Sequence, residues 1–325
     1  MIAFLDSKSH FLKFGFKPED GIYNAGIKIL LGLIDLNKIS VIVYTLEHSY
    51  LNSFLVDKLQ GKIKVVFILD GVYEWQNAHN NPKTAGKVLV ASSFFDRAFV
   101  CADESTLSYL KLQGDIVGFK NPRVFGMKNI KQEKNENASL VLITTAKTAY
   151  FNESEKERLV DLIKSTINEL KSLGVNYKFR IFDESLVQEC QIDPTHNHTQ
   201  GGFVDALINV SAIITTPSSI SLESMAKGVR VAHFVYRSGP QSITAAWNIH
   251  KSANISEALT SLLDTSPDNP SYLYQCNYIN QFSNYVKQVD VLSYLQEVKT
   301  NQKHFTFFEK LDFLWRLPYE IILKR

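Results

Sequence analysis

Short, nearly unbroken apolar runs alternate with amphipathic stretches along this chain, and no other feature limits its fold as strongly. Strands are expected at Ile2–Leu5, Ser40–Tyr44, Lys64–Leu69, Val88–Ala91, Ala98–Cys101 and Asp115–Val117. A second series follows at Ser139–Thr144, Lys178–Phe182, Ala212–Thr215 and Arg230–Phe234. Helical patterns fall between them, at Asp20–Leu36, Tyr50–Leu59, Ser105–Leu112 and Glu153–Leu173. Continuous apolar runs suit strands buried on both faces, and the alternation argues for βαβ units and parallel sheets. The series breaks at Met127–Ser139, MKNIKQEKNENAS, which is polar, charged and without periodicity. With 325 residues the chain can build two cores. The expected division is an N-terminal α/β domain over 1–130, a second over 138–295, and a helical tail over 296–325.

Composition narrows the partners. A net charge of +2 produces no global field of the kind that draws nucleic acid. Cys101, Cys190 and Cys276 lie far apart, without metal-ligand spacing, so they read as thiols in a reducing compartment. The N-terminus MIAFLDSKSHFLKFGFK lacks an unbroken apolar core and a small-residue cleavage site, and no run is long enough to span a bilayer. A cytoplasmic location is expected.

The stretch FILDGVYEWQN poses a choice. Asp70-Gly71 after an apolar run is a strong hairpin signal. Yet VYEWQNAHNNPK turns polar too soon to supply a good returning strand. The preferred reading makes Lys64–Leu69 a buried parallel strand with Asp70 at its carboxyl end, where open α/β sheets place ligands. Glu74 follows closely, between Tyr73 and Trp75; Trp75 reads equally well as core. Asp6, Glu47 and His48 also follow strands.

The most informative segment is VDALINVSAIITTPSSISLESMAKGVRVAHF, Val204 to Phe234. A strand at Ala212–Thr215 leads through Thr216-Pro217-Ser218-Ser219 into a helix closed by Gly228, and a further strand follows. Hydroxyl residues at a helix N-terminus suit a phosphate. Glu223 lies four residues after Ser219, on the same helix face. No capping box explains it, since residue 220 is Ile. A helix-dipole role and a hydrogen bond to a ribose diol both remain open.

This segment resembles the donor-nucleotide site of GT-B glycosyltransferases, in which two Rossmann-like domains with parallel sheets face each other across a cleft. The Ser218-Ser219 pair is similar to that of bacterial sialyltransferases and Kdo-type transferases, which use CMP-activated sugars. Their His-Pro motif is absent here; the corresponding strand reads KFRIFDES, and Arg180, His196 or His198 would supply the cation. The resemblance implies donor contacts from Thr144, Thr145, Lys147, Arg180, Thr216, Ser218, Ser219 and Glu223, with Arg237 on a nearby loop. It implies Asp70 or Glu74 as catalytic carboxylate, and Tyr73, Trp75 and His48 on the acceptor side. The expected reaction moves a nonulosonic or ulosonic acid from a CMP-sugar to a glycan or lipid-linked acceptor, in capsule or lipopolysaccharide synthesis. The alternatives are a UDP-sugar transferase or UDP-sugar 2-epimerase of the same fold, and a non-catalytic sugar-nucleotide or glycan-binding module. No DxD-like cluster is present, so no metal and no cofactor beyond the donor substrate are expected. The aromatic and basic tail KHFTFFEKLDFLWRLPYEIILKR reads as a C-terminal helix packing back across the domains over Phe305–Leu317, with peripheral membrane contact by the last residues left open.

Overall fold

The apolar runs become two five-stranded sheets in the computed structural model, which describes residues 1–45, 49–75, 95–126, 140–146 and 151–299. The chain divides into two units. The first comprises Met1–Gly71, a segment ending at Arg123, and the chain from Tyr285; the second comprises the segment beginning at Val72 and Val124–Asn284.

The first unit holds β1 (Ile2–Phe4), β2 (Val41–Tyr44), β3 (Lys64–Val72), β4 (Arg97–Cys101) and β5 (Ile116–Gly118), side by side in chain order. β1, β2 and β3 pair in parallel, as do β4 and β5. Because β3 lies parallel to β2, with Val41 opposite Lys64, and runs through Asp70, no hairpin opens there. Gly71, inside β3, has φ of +108°, a conformation that residues with a Cβ rarely adopt.

One face of this sheet presents Ile2, Phe4, Val41, Val43, Val66 and Ile68. It is covered by Phe11, Phe14 and Phe16 and by Val291 and Leu295 of the helix Gln288–Glu297. That burial explains why the chain returns to the first unit from Tyr285 onward. Residues 285–295, expected in the second domain, therefore belong to the first unit, and Val291 and Leu295 join its core.

The second unit holds β6 (Leu140–Thr144), β7 (Asn176–Arg180), β8 (Ala212–Thr215), β9 (Arg230–Phe234) and β10 (Trp247–Ile249). Their order is β10-β9-β8-β6-β7, and all neighbours are parallel. Alternate residues serve opposite faces. Val141, Ile143, Ala212 and Ile214 join one cluster with Leu159, Ile163 and Leu259, while Leu142 and Ile213 join another with Leu207, Val210 and Val229. Both faces are apolar, which is why these strands read as continuous runs. The helix Glu153–Ser172 starts at Asn152, whose side chain accepts from the Glu155 N–H while the Glu155 carboxylate accepts from the Asn152 N–H.

Several expectations shift. β7 begins and ends two residues before the expected Lys178–Phe182, and β10 has too few apolar residues to have been read as a strand. The helix expected over Asp20–Leu36 shortens to Ala25–Leu30, ending before Gly32 at φ +67°. The expected strand Val88–Ala91, the break at Met127–Ser139 and the tail Lys303–Arg325 lie outside the described residues. Among the described residues no helix is long and apolar enough to cross a membrane.

Candidate functional site

The second sheet reverses its winding between β6 and β8: from β6 the chain moves out to β7, then returns to the other side. Crossovers leave opposite sides of the sheet at such a point, opening a crevice at the carboxyl ends where ligands of α/β proteins bind. The ends of β6 and β8 carry Thr144, Thr145, Thr215 and Thr216, all buried. The Ala146 N–H donates to Thr216 Oγ1 at 2.8 Å, tying the two strand ends together. Thr144 Oγ1 donates to the Arg180 carbonyl at 2.6 Å, so Thr144 holds β7 to β6.

Beyond β8 the helix Ser219–Ala226 begins, with the Ser218 N–H donating to Ser221 Oγ at 3.2 Å. Thr145 Oγ1 and Ser218 Oγ are buried and have no hydrogen-bond partner among the described residues. A buried hydroxyl left unsatisfied costs about 1–3 kcal/mol, a cost that a bound acceptor would remove. Ser219 Oγ instead accepts from the Val72 N–H at 3.2 Å. Glu223 is 7% exposed, in the middle of this helix.

On β9, His233 lies opposite Thr215 and is fully buried, with Nδ1 3.4 Å from Gln241 Oε1. Burial holds its pKa down at about 4, against the opposing contact from Gln241. Nothing in VRVAHF marks this histidine from sequence, since it occupies an ordinary strand position. A neutral buried imidazole has a measurable consequence. Between pH 6.5 and 4 the unfolded chain takes up a proton that the fold refuses, so stability falls as pH falls through that window. The expected loss is ~2 kcal/mol at pH 5 relative to pH 7.5, and it fades to almost nothing above about pH 7.5. Urea unfolding at the two pH values should show the difference shrinking in His233→Asn; an unchanged difference would remove His233 as its source.

In the first unit, Asp70 sits at the carboxyl end of β3 with a side chain 25% exposed. Its carboxylate accepts from Arg123 Nη1 and lies 3.5 Å from His10 Nε2. His10 comes from the helix Lys8–Leu12, capped by Ser7 just after β1, and Arg123 follows β5 in the helix Pro122–Phe125. Asn121 Nδ2 donates to the Leu69 carbonyl at 3.3 Å, anchoring the Arg123 turn to β3. An acid, an imidazole and a guanidinium thus converge at strand ends far apart in sequence. Only the position of each after a strand could have signalled His10 or Arg123. Asp6 is different: it is buried, accepts from Thr45 N–H, Thr45 Oγ1 and Asn52 Nδ2, and ties β1 to β2.

Other expected site residues are placed elsewhere. Asp70 belongs to the first unit and Glu74 to the second. Glu74 Oε2 accepts from Arg237 Nη1 at 3.0 Å, and Arg237 Nε lies 3.6 Å from Glu155 Oε2, all three side chains largely buried. This pairing engages both Glu74 as a candidate catalyst and Arg237 as a candidate donor contact. Tyr73 is 2% exposed and packs edge-on against Trp75, so no sugar can stack on it. The Trp75 N–H donates to Ser242 Oγ at 3.1 Å. The guanidinium of Arg180 donates to the carbonyls of His198, Gln200 and Gly201, acting as a clamp on that loop. His48 and Lys147 lie outside the described residues.

Two α/β units, each built on a five-stranded sheet, match the GT-B fold of solved structures. S. aureus TarM, crystallised with UDP among other ligands, superposes with a TM-score of 0.52 at 11% identity, covering 90% of this chain and 58% of its own. S. aureus MnaA, in a UDP co-structure, gives 0.52 at 12% identity over 96% of this chain and 85% of its own. A UDP-forming α,α-trehalose-phosphate synthase from Burkholderia xenovorans, in complex with glucose-6-phosphate, gives 0.51 at 10% identity over 82% and 76%. This chain thus spans little more than half the length of TarM. No protein-family model and no curated protein sequence matches it.

Proposed function

We propose that this chain is a glycosyltransferase that takes its sugar from a UDP-linked donor held at the carboxyl ends of β6 and β8. The observation that carries the reading is the pair of buried, unpartnered hydroxyls, Thr145 and Ser218, at a winding reversal where a helix begins. They, with the backbone amides that open the helix Ser219–Ala226, can accept a phosphate as their missing partner. Glu223, one turn along, is assigned to the ribose.

The donor differs from the CMP-sugar favoured by the Ser218-Ser219 pair. Where the structural neighbours' own descriptions name a nucleotide, it is UDP. A serine pair before a helix suits any nucleotide phosphate and does not itself select cytidine. Asp70 is the acid that takes the acceptor's proton, with His10 and Arg123 orienting it. The acceptor is a glycan or lipid-linked saccharide, reached in the cytoplasm.

Thermal unfolding with UDP, CMP and GDP tests the donor. UDP at a hundred times its Kd should add about 2.7 kcal/mol of stability. Ser218→Ala should weaken that binding by ~1 kcal/mol, the net value of one hydrogen bond. Stabilisation by CMP without UDP would restore the CMP-sugar reading, and a response to neither would remove the nucleotide site.

A further inference from the structure

We infer that the second unit carries a second anion site, away from the nucleotide crevice, that takes a small phosphorylated saccharide. A groove of about 370 Å³ is lined by Arg158, Asp161, Leu162, Lys164, Ser165, Val235, His250, Lys251 and Ser252. Its walls come from the middle of the helix Glu153–Ser172 and from the chain just after β9 and β10. β10 is the edge strand beyond β9, whereas the winding reversal lies between β8 and β6, so the two sites occupy different parts of the sheet.

Three permanent cations, Arg158, Lys164 and Lys251, meet one carboxylate, Asp161, on this lining. None of the three forms an ion pair among the described residues, although Asp161 is three residues from both Arg158 and Lys164 along one helix face. Arg158 uses only its Nε, donating to the Ser154 carbonyl at 3.2 Å. Three cations against one carboxylate leave this concave surface with a net positive potential. The 3-10 turn Ser252–Asn254 leads directly into the helix Ile255–Leu263, and Asn254 places no side-chain cap on its first amides. The positive end of that helix dipole adds to the same field.

The rest of the lining identifies the remainder of the ligand. Leu162 and Val235 form an apolar floor, and Ser165, Ser252 and Asp161 offer groups for sugar hydroxyls. A purely inorganic anion would need neither. The volume falls within the roughly 300–1,000 Å³ of small-molecule pockets and suits a single sugar bearing a phosphate. The phosphate can be a monoester on a free sugar or a phosphodiester within a chain.

Calorimetric titration of the full chain with inorganic phosphate, a hexose 6-phosphate, and a glycerol-phosphate trimer tests the site and separates these sources. The expected result is hexose-phosphate binding at least tenfold tighter than inorganic phosphate. It should weaken at least tenfold in Lys164→Glu/Lys251→Glu, change less in Lys164→Gln/Lys251→Gln, and stay unchanged in Thr145→Val/Ser218→Ala. Tighter binding of the trimer than of the hexose phosphate, with the same dependence on the lysines, supports the site and assigns it to a phosphodiester chain. Binding lost in Thr145→Val/Ser218→Ala but kept in the lysine variants would place the phosphate in the nucleotide crevice and overturn the inference. So would equal binding of inorganic phosphate and hexose phosphate, or binding of neither. UDP titrated against the same variants reports on the nucleotide crevice independently, so either site can fail alone.

Discussion

Asp70→Asn is expected to lower turnover of a UDP-sugar by about 10²–10⁴-fold while leaving UDP affinity unchanged. The magnitude is that of a positioned general base. The separation between turnover and binding follows from the architecture, because Asp70 lies in the first unit and the crevice proposed for the nucleotide belongs to the second. Asparagine keeps the shape of the side chain and can still face Arg123, but it cannot accept a proton from an acceptor hydroxyl. His10→Gln should give a smaller loss, since the imidazole orients the acid from 3.5 Å and does not replace it. The measurement is UDP release under saturating donor, paired with UDP-induced thermal stabilisation of each variant. Full turnover in Asp70→Asn would sink the assignment. A larger loss in His10→Gln than in Asp70→Asn would move the base to His10, with Asp70 as its orienting partner.

Why the acid was legible, and its companions were not, is a matter of range. Lys64–Leu69 is continuously apolar, and a buried parallel strand followed by Asp-Gly can be recognised from local residues alone. The crevice was legible for the same reason: strand, hydroxyl turn, helix and Gly228 form one contiguous segment. His10 and Arg123 reach Asp70 only through the order of β1, β3 and β5 in the sheet, which no local pattern encodes. The sequence reading placed Glu74 beside Asp70 because four residues of separation suggested one site. The division between the units falls after Gly71, so the two carboxylates belong to different units. Arg180, inside the expected strand Lys178–Phe182, looked like a cation for the donor because the three carbonyls it binds come from residues 198–201, which carry no signal of their own. Tyr73 and Trp75 looked like sugar platforms because aromatic residues beside an acid serve core and binding site alike; burial alone decides, and for Tyr73 it decides for the core.

The Glu74–Arg237–Glu155 cluster gives the reassignment of Glu74 a test of its own. Arg237→Met should destabilise the second unit by about 3–5 kcal/mol, because it keeps the bulk of the side chain and removes the guanidinium that two largely buried carboxylates share. The Glu155 carboxylate also accepts from the Asn152 N–H, so part of the loss should appear as a loosened start of the helix Glu153–Ser172. Each kcal/mol moves Tm by ~2–4 °C for a unit of this size, which puts the shift near 10 °C and within easy reach of calorimetry. Glu74→Gln should cost less, since Arg237 retains Glu155, and the double variant Glu74→Gln/Arg237→Met should recover part of the loss through removal of one of the two opposed charges. A catalytic Glu74 would behave in the opposite way, with turnover collapsing in Glu74→Gln and Tm unmoved. The structure predicts a shifted Tm and turnover kept within a few-fold, because the Glu74 side chain anchors the segment that also reaches Ser219 through the Val72 N–H and Ser242 through the Trp75 N–H.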